Sequence, residues 1–522
     1  MTPYRPALRA TLHRVGVVGF ILLLLAVPLA AQGEPSNDLL DRFEAKTTEH
    51  VLDNGWTFLI VERPVAAVFS FATVVNVGAA QEVPGITGLA HMFEHMAFKG
   101  TPNIGTTDYP AEKKALEQVE EAYLAYEAAR RGLKVDEAEV ERLLADFKEK
   151  QEAARQFVKA NEFGELIDKN GGTSLNASTN ADFTNYFYAL PANRFELFAY
   201  LESERFLHPV FREFYKERDV VQEERRLRTD SQPLGRMIEQ ALSTAFVAHP
   251  YKQPVVGYMS DLQSFTATDA EEFYKKYYVP SNMVTTLVGH LKAEEVIPVL
   301  EKYFGRIPAG PKPTALRTEE PKQIAEKTVV LVDPAQPTYS EMYHKPSALH
   351  PDQAVYDAID VILSNGRTSR LYRSLVRDQK LAAFVGSFSN FPGSKYPNLW
   401  LAFAIPSKEA SNEEVQAALR EELEELKSGE ISDTEMQRFR TRAKADLLRG
   451  MNNNTGIAFQ FSIFQTLHGD WRELFHRIDK IEAVTKEDVH RVARETFVPQ
   501  NRTVAMVVNE ESVEASDDTS DR

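Results

Sequence analysis

The stretch GLAHMFEHMAFKGT, Gly88 to Thr101, decides how the rest of the chain is read. It sets His91, Glu94 and His95 in a His-x-x-Glu-His order. On a helix, residues four apart share a face, so His91 and His95 point the same way. Two neutral imidazoles one turn apart can hold a divalent metal, usually zinc, from a single rigid element. Glu94, three residues from His91, reaches a water at that metal without being a ligand. The plain alternative is a helix whose histidines are satisfied core or surface groups. The context argues against it: a long apolar approach from Phe69 to Val77 leads through a Gly/Pro-bearing loop, Val83 to Gly88, into the helix. A strand that delivers a helix into the interior is where a structural or catalytic metal sits.

Around this stretch the composition is that of a globular protein. The chain has 522 residues, 43% hydrophobic and 26% charged, enough for two or more cores. Its formal charge of -16 argues against a nucleic-acid partner, which needs a positive footprint. Arg5, Arg9 and Arg14 precede an apolar run from Val15 to Ala31 that ends in small residues, the layout of a signal peptide over residues 1–31. An uncleaved N-terminal anchor is the alternative. Export to a periplasmic or extracellular space is therefore expected, with no stable membrane span once the signal is cut. No cysteine is present, so disulfides are excluded and any metal site must use His and carboxylate.

Along the chain, Thr47 to Val61 reads as a strand pair turning at Asp53-Asn54-Gly55. Residues 110–159 then turn charged, with apolar stripes at helical spacing: Leu116, Val119, Tyr123 and Tyr126, then Val140, Leu144, Phe147 and Val158. This predicts a helical hairpin projecting from the domain, with no chemistry of its own. Gly171 to Pro191 reads as a turn followed by a polar strand. A helix is expected from Asn193 to Phe206, and a charged one from Phe211 to Arg228. In the second, Glu217, Val220, Val221 and Glu224 share a stripe, and a carboxylate on such a face is costly unless a cation binds it. Periodicity alone leaves Glu223 and Glu224 open as ligand or as solvated groups.

Two stretches look like copies. Thr266 to Val288 and Thr485 to Val507 both read Thr-x-x-Asp, an amphipathic helix, then Val-Pro-x-Asn and a strand. The pairs Thr266/Thr485, Asp269/Asp488, Val279/Val498, Pro280/Pro499 and Asn282/Asn501 keep one constant offset, which implies an internal duplication. The expected organisation is a first domain at 47–306, a proline-bearing linker at 307–326, a second domain at 327–509 and a disordered acidic tail at 510–522. The second half has no His-x-x-Glu-His; the helix expected in that place carries Asn365 to Arg377.

Together these stretches resemble the pitrilysin-like inverzincin metallopeptidases, on the branch of the mitochondrial processing peptidase and its two-domain bacterial relatives. The resemblance runs from Thr47 to Val508. It is carried by Gly88–Thr101, by GGTSLNAST (Gly171 to Thr179) and by Glu217-Arg-Asp-Val-Val-Gln-Glu-Glu224. His249-Pro250-Tyr251 and GRTSRLYRSLVRDQKLA (Gly366 to Ala382) add support. It implies an α+β fold of two homologous α/β sandwich domains, each a mixed, largely antiparallel sheet with helices packed on it. It implies one zinc ion per chain, held by His91, His95 and Glu224, with Glu94 as catalytic carboxylate and Glu217 supporting it. The resemblance thus prefers Glu224 to Glu223. It implies hydrolysis of unfolded or short peptides by zinc-activated water, with Asn176 and Ala177 on a strand that pairs with an extended peptide. A turn residue capping its own strand is the local alternative for Asn176. The gap from His95 to Glu224 is much longer than the family's usual one, and the insertion at 110–159 accounts for most of the excess. Arg377 fits a substrate-contacting Arg, but Ala383 and Phe384 stand where a partnering Tyr falls. That departure implies a dimer, more readily with a metal-free sister subunit than with itself. A non-catalytic, peptide-binding or scaffold subunit is the rival reading; such relatives have generally lost the metal motif that this chain keeps.

Overall fold

The computed structural model describes residues 36–509, so the expected signal peptide and acidic tail lie outside the described residues. Two mixed sheets carry the fold. The first contains β1 (Thr47–Val51), β2 (Thr57–Glu62), β3 (Val68–Val75), β4 (Thr173–Thr179), β5 (Thr184–Pro191) and β6 (Met283–Gly289), in the order β1-β2-β6-β3-β5-β4. The second contains β7 (Lys327–Val332), β8 (Thr338–Lys345), β9 (Ala382–Phe391), β10 (Asn398–Pro406) and β11 (Arg502–Val508), in the order β7-β11-β8-β10-β9. Each sheet has one parallel pair, β2–β6 and β7–β11, and is otherwise antiparallel. This is the mixed sheet-and-helix class expected from the sequence.

The repeated segments take the same form twice. Thr266 and Asp269 make a capping box on the helix Ala267–Tyr277, as Thr485 and Asp488 do on Lys486–Thr496. A short helical turn follows each, and then β6 or β11. Asn282 and Asn501 play one part: each side-chain amide donates to the last helix carbonyls, Tyr277 O at 2.9 Å and Thr496 O at 3.0 Å. Between the helix Ala293–Phe304 and β7 the chain runs without helix or strand.

One face of each sheet packs on helices of its own half. The first such core includes Phe58, Phe71, Leu89, Phe93, Phe198 and Leu287; the second includes Tyr343, Ile359, Trp400, Leu419 and Val489. The opposite faces are covered by exchange. Leu59, Val61, Ala72 and Val288 of the first sheet pack on Phe461 and Phe475, from the helices Asn454–His468 and Glu473–Ala483, and on Trp471 in the turn between them. Met342, Leu399, Ala505 and Val507 of the second sheet pack on Met237 and Ala241, from the helix Pro233–Ala245. Apolar burial of this kind, at about 25 cal/mol per Å², couples each sheet to a helix from the other half.

Three expectations need correction. Residues 171–191 form a hairpin of two strands, β4 and β5, because Asn180 Oδ1 accepts the N–H groups of Asp182 (2.7 Å) and Phe183 (2.9 Å) and turns the chain. The insertion does form two helices, Tyr109–Arg130 and Glu137–Arg155, but it does not simply project. Val119, Tyr123, Phe147 and Ala154 are buried in the first core, while Val158 lies past the helix in an isolated bridge to Thr106. The place expected for Asn365–Arg377 is filled by the helix Gln353–Leu363; Tyr372–Asp378 makes a separate π-helical turn.

Candidate metal centre

His91, Glu94 and His95 lie on the helix Leu89–Met96. Eight residues are too few for a helix to persist on its own, so packing holds this one. Leu89, Met92, Phe93 and Met96, at helical spacing, fill the core and leave the histidines on another face. Its first turn has no side-chain cap: Gly88 stands there at φ +95°, where an added Cβ would meet Val256 O at 2.7 Å. Glu82, fully buried in the preceding loop, replaces the cap by accepting the N–H groups of Gly88 (2.8 Å) and Ala90 (2.7 Å). Burial pushes its carboxyl up to about 8 despite those two bonds.

Glu217 and Glu224 come from the helix Phe214–Arg225. Its arginines anchor it from other faces. Arg218 Nη1 donates to Tyr123 Oη at 2.5 Å and to Phe265 O at 3.1 Å, and Arg225 Nη1 donates to Gly257 O at 2.6 Å. Tyr123 belongs to the insertion, which therefore buttresses the element that carries both carboxylates.

The two helices bring His91, His95 and Glu224 together, with one ligand atom from each within 4.8 Å of the others. His91 Nε2 lies 3.7 Å from Glu224 Oε1, and His95 Nε2 lies 3.4 Å from Oε2. Burial pushes His91 down to about 3, which keeps it neutral. Burial also pulls on His95, but its bond to Glu217 and the charges of Glu217 and Glu224 outweigh that and raise it. His95 Nδ1 lies 3.0 Å from Glu217 Oε1, while Glu217 Oε2 lies 2.6 Å from Lys99 Nζ. Burial alone would raise Glu217; the contacts with His95 and Lys99 bring it down to about 2. With Glu217 as acceptor at Nδ1, the neutral ring of His95 carries its lone pair on Nε2, on the side of Glu224. Two imidazole nitrogens and one carboxylate oxygen form a donor set that suits zinc.

Glu223 points elsewhere: its carboxylate pairs with Arg226 Nη1 at 2.8 Å and its side chain is 57% exposed, against 17% for Glu224. Arg228, past the end of the helix, reaches Glu224 Oε1 at 2.5 Å. Glu94 is half-buried, and its carboxyl is raised by burial while hydrogen bonding to Thr179, the last residue of β4, opposes that rise. β4 is the edge of the first sheet. On it Asn176 is exposed and Ala177 buried, and Asn176 Oδ1 accepts the Ala177 N–H at 2.9 Å. Arg377 is not brought to this group: its guanidinium forks onto its sequence neighbour Asp378 at 2.6 and 2.9 Å. Phe384, on the edge strand β9, is half-exposed and packs on Phe403.

Models of one family match most of the chain. "Insulinase (Peptidase family M16)" matches residues 57–152 and 153–258, and "Peptidase M16 inactive domain" matches residues 264–442. The chain belongs to peptidase family M16. Among M16 relatives, "Zinc protease PqqE" of Helicobacter pylori is 28% identical over 92% of this chain and 95% of its own length. The beta subunit of the mitochondrial-processing peptidase of Saccharomyces cerevisiae is 23% identical over 87% of this chain and 89% of its own. A crystal structure of a protease from Helicobacter pylori superposes with a TM-score of 0.74 at 26% identity, covering 89% of this chain and 99% of that one. The inactive-domain match falls largely on the half without His-x-x-Glu-His. No described helix is long and apolar enough to cross a membrane.

Sequence reading missed Glu82, Lys99 and the buttress at Tyr123. Lys99 was within reach, since it lies four residues past His95; the helix ends at Met96 and the bend after it brings Lys99 to Glu217.

Proposed function

We propose that this chain is an exported zinc-dependent endopeptidase acting on unfolded or short peptides. The convergence of His91, His95 and Glu224, with Glu94 one turn away beside the edge strand β4, carries the reading. Those three residues would hold one zinc ion per chain, which supplies Lewis acidity at a position left open to substrate. Glu94 takes a proton from the attacking water and returns it to the leaving amine. Its raised pKa suits both tasks, because a carboxyl that is too acidic is a poor base. Glu217 orients His95 and stays charged while it does so. The free edge of β4 offers backbone groups to an extended peptide, so affinity comes from main chain more than from side chains. Asn176 would then release the Ala177 N–H to the peptide. Arg377 would have to leave Asp378 to contact substrate. Because Ala383 and Phe384 bring no phenol to that place, we also propose that a second subunit completes the site, a metal-free sister before a second copy.

The test is direct: purify the mature chain, measure bound zinc, and follow cleavage of an unstructured peptide with and without a chelator. Zinc near one per chain and chelator-sensitive cleavage are expected. A zinc-free, inactive chain that still binds peptide would favour the scaffold reading.

A further inference from the structure

Away from the metal centre, the two sheets meet through the tips of their edge hairpins. The turn between β4 and β5 carries Asp182, only 1% exposed. Its Oδ1 accepts the hydroxyl of Tyr251. Its Oδ2 accepts the N–H groups of Ser394 (2.6 Å) and Lys395 (3.1 Å) and the Ser394 hydroxyl (3.3 Å), all from the loop between β9 and β10. None of these donors is a cation. The Lys395 ammonium attracts Asp182 through space, but every hydrogen bond to this buried carboxylate comes from a neutral donor, so it depends on their orientation and losing them would be costly.

The grip is built from both sides. Gly393 enters because it has no side chain: a Cβ there would lie 2.5 Å from Tyr251 Oη and 2.8 Å from Asp182 Oδ2. Lys395 Nζ reaches past the turn to Asn76 Oδ1 at 2.6 Å, and the Tyr396 N–H donates to Tyr251 Oη at 3.2 Å. In the first half, two short routes connect the Asp182 turn to the catalytic helix. Thr179, three residues earlier, hydrogen-bonds Glu94. Asn180 O and Ala181 O accept the N–H groups of Ala79 (3.1 Å) and Ala80 (2.9 Å), and that segment leads directly into Glu82, the cap of the helix Leu89–Met96.

We infer that Asp182 is a positioning residue, a latch that docks the β9–β10 tip on the β4–β5 turn and holds the second sheet's edge over the peptide path beside Glu94. The inference rests on the peptidase reading for its consequence, and on the contacts alone for its geometry. Releasing the latch leaves the metal residues in place but lets the two edges part, so peptide binding weakens more than chemistry does.

The chain has no cysteine, so two can be added cleanly for spin labels: Asp168→Cys in the first half and Glu421→Cys in the second. Both positions are exposed. In this background the unaltered latch should give one narrow distance. Asp182→Ala, and independently Gly393→Ala, should broaden and lengthen it while bound zinc is unchanged. For an unstructured peptide, KM should rise about 10–100-fold, with a smaller change in kcat, the range for losing hydrogen bonds to a buried charge. Asp182→Asn should fall between, because its amide oxygen can still accept from Ser394 and Lys395 while Nδ2 donates to Tyr251. If Asp182→Ala does not fold, Gly393→Ala and Asp182→Asn decide. An unchanged distance in these variants overturns the latch, as does a broadened distance with KM unmoved. A labelled parent with no peptidase activity would count against the peptidase reading, while the distances still decide the latch.

Discussion

Replacing Glu217 by Gln tests the centre most sharply, because it changes one charge and no ligand. In the structure Glu217 Oε1 faces His95 Nδ1 at 3.0 Å and Oε2 faces Lys99 Nζ at 2.6 Å, on a side chain 14% exposed. Its carboxyl falls from 4.5 to about 2, which corresponds to ~3 kcal/mol of preference for the charged form. That preference comes from both partners, His95 and Lys99. A glutamine can place its oxygen on only one partner. If its NH2 turns to His95 Nδ1, it also favours the wrong tautomer and takes the lone pair from Nε2. Zinc affinity should therefore drop about 10–100-fold, the usual cost of losing the partner of a metal-bound imidazole. Competition with a chromogenic chelator measures this directly, on the Gln variant and on Lys99→Met. The lysine variant keeps the His95 contact and should lose less. Equal affinity for the Gln variant and the parent would refute the tautomer argument, and so would a loss as large as that of His95→Ala.

Other expectations follow from the same geometry. Glu94→Gln should keep zinc while turnover falls ~10²–10⁴-fold, the range for lost acid–base catalysis; full turnover in a zinc-loaded variant would remove Glu94 from that role. Glu224→Gln should purify zinc-poor and inactive, and Glu223→Gln close to normal, since only Glu224 faces both imidazoles; metal analysis of the two decides. Glu82 is raised to about 8 in the folded chain against an ordinary 4.5, so the folded state keeps a proton that the unfolded chain gives up. The stability this confers is complete below about pH 4.5 and is lost as the pH rises towards 8. Glu82→Gln should flatten the melting temperature over that window, and an unchanged slope would show that another group sets it. For the second subunit, activity alone should rise on adding a metal-free homologue or on Phe384→Tyr; full activity unaffected by either would leave no role for a partner.

What could be read from the sequence follows the range of each interaction. His91 and His95 announce themselves because helical neighbours four residues apart are also neighbours in the text. The Thr266/Asp269 and Thr485/Asp488 caps were legible for the same reason, each closing within a turn. Glu224 was harder: its stripe was visible, but Glu223 competed until the resemblance fixed the register. The structure shows why periodicity could not decide. Glu223 pairs with Arg226 and Glu224 with Arg228, so both have a basic residue within the next turn. Glu82 was invisible because no local rule caps a helix from a loop six residues before Gly88, and Gly88 itself leaves no side-chain clue. The insertion misled in an instructive way. Its charged composition suited a projecting spacer, yet Arg212 clamps Glu112 at 2.8 Å, and Tyr123 is 1% exposed against the helix that carries Glu217 and Glu224. Those contacts join residues about a hundred apart, where no spacing rule reaches. The long stretch of sequence between His95 and Glu224 is thus partly filled by the element that steadies the helix carrying Glu224. Peptidase activity that survives shortening the hairpin tip, around the exposed Leu133, but not Tyr123→Ala would separate the solvated outer part from the buttress.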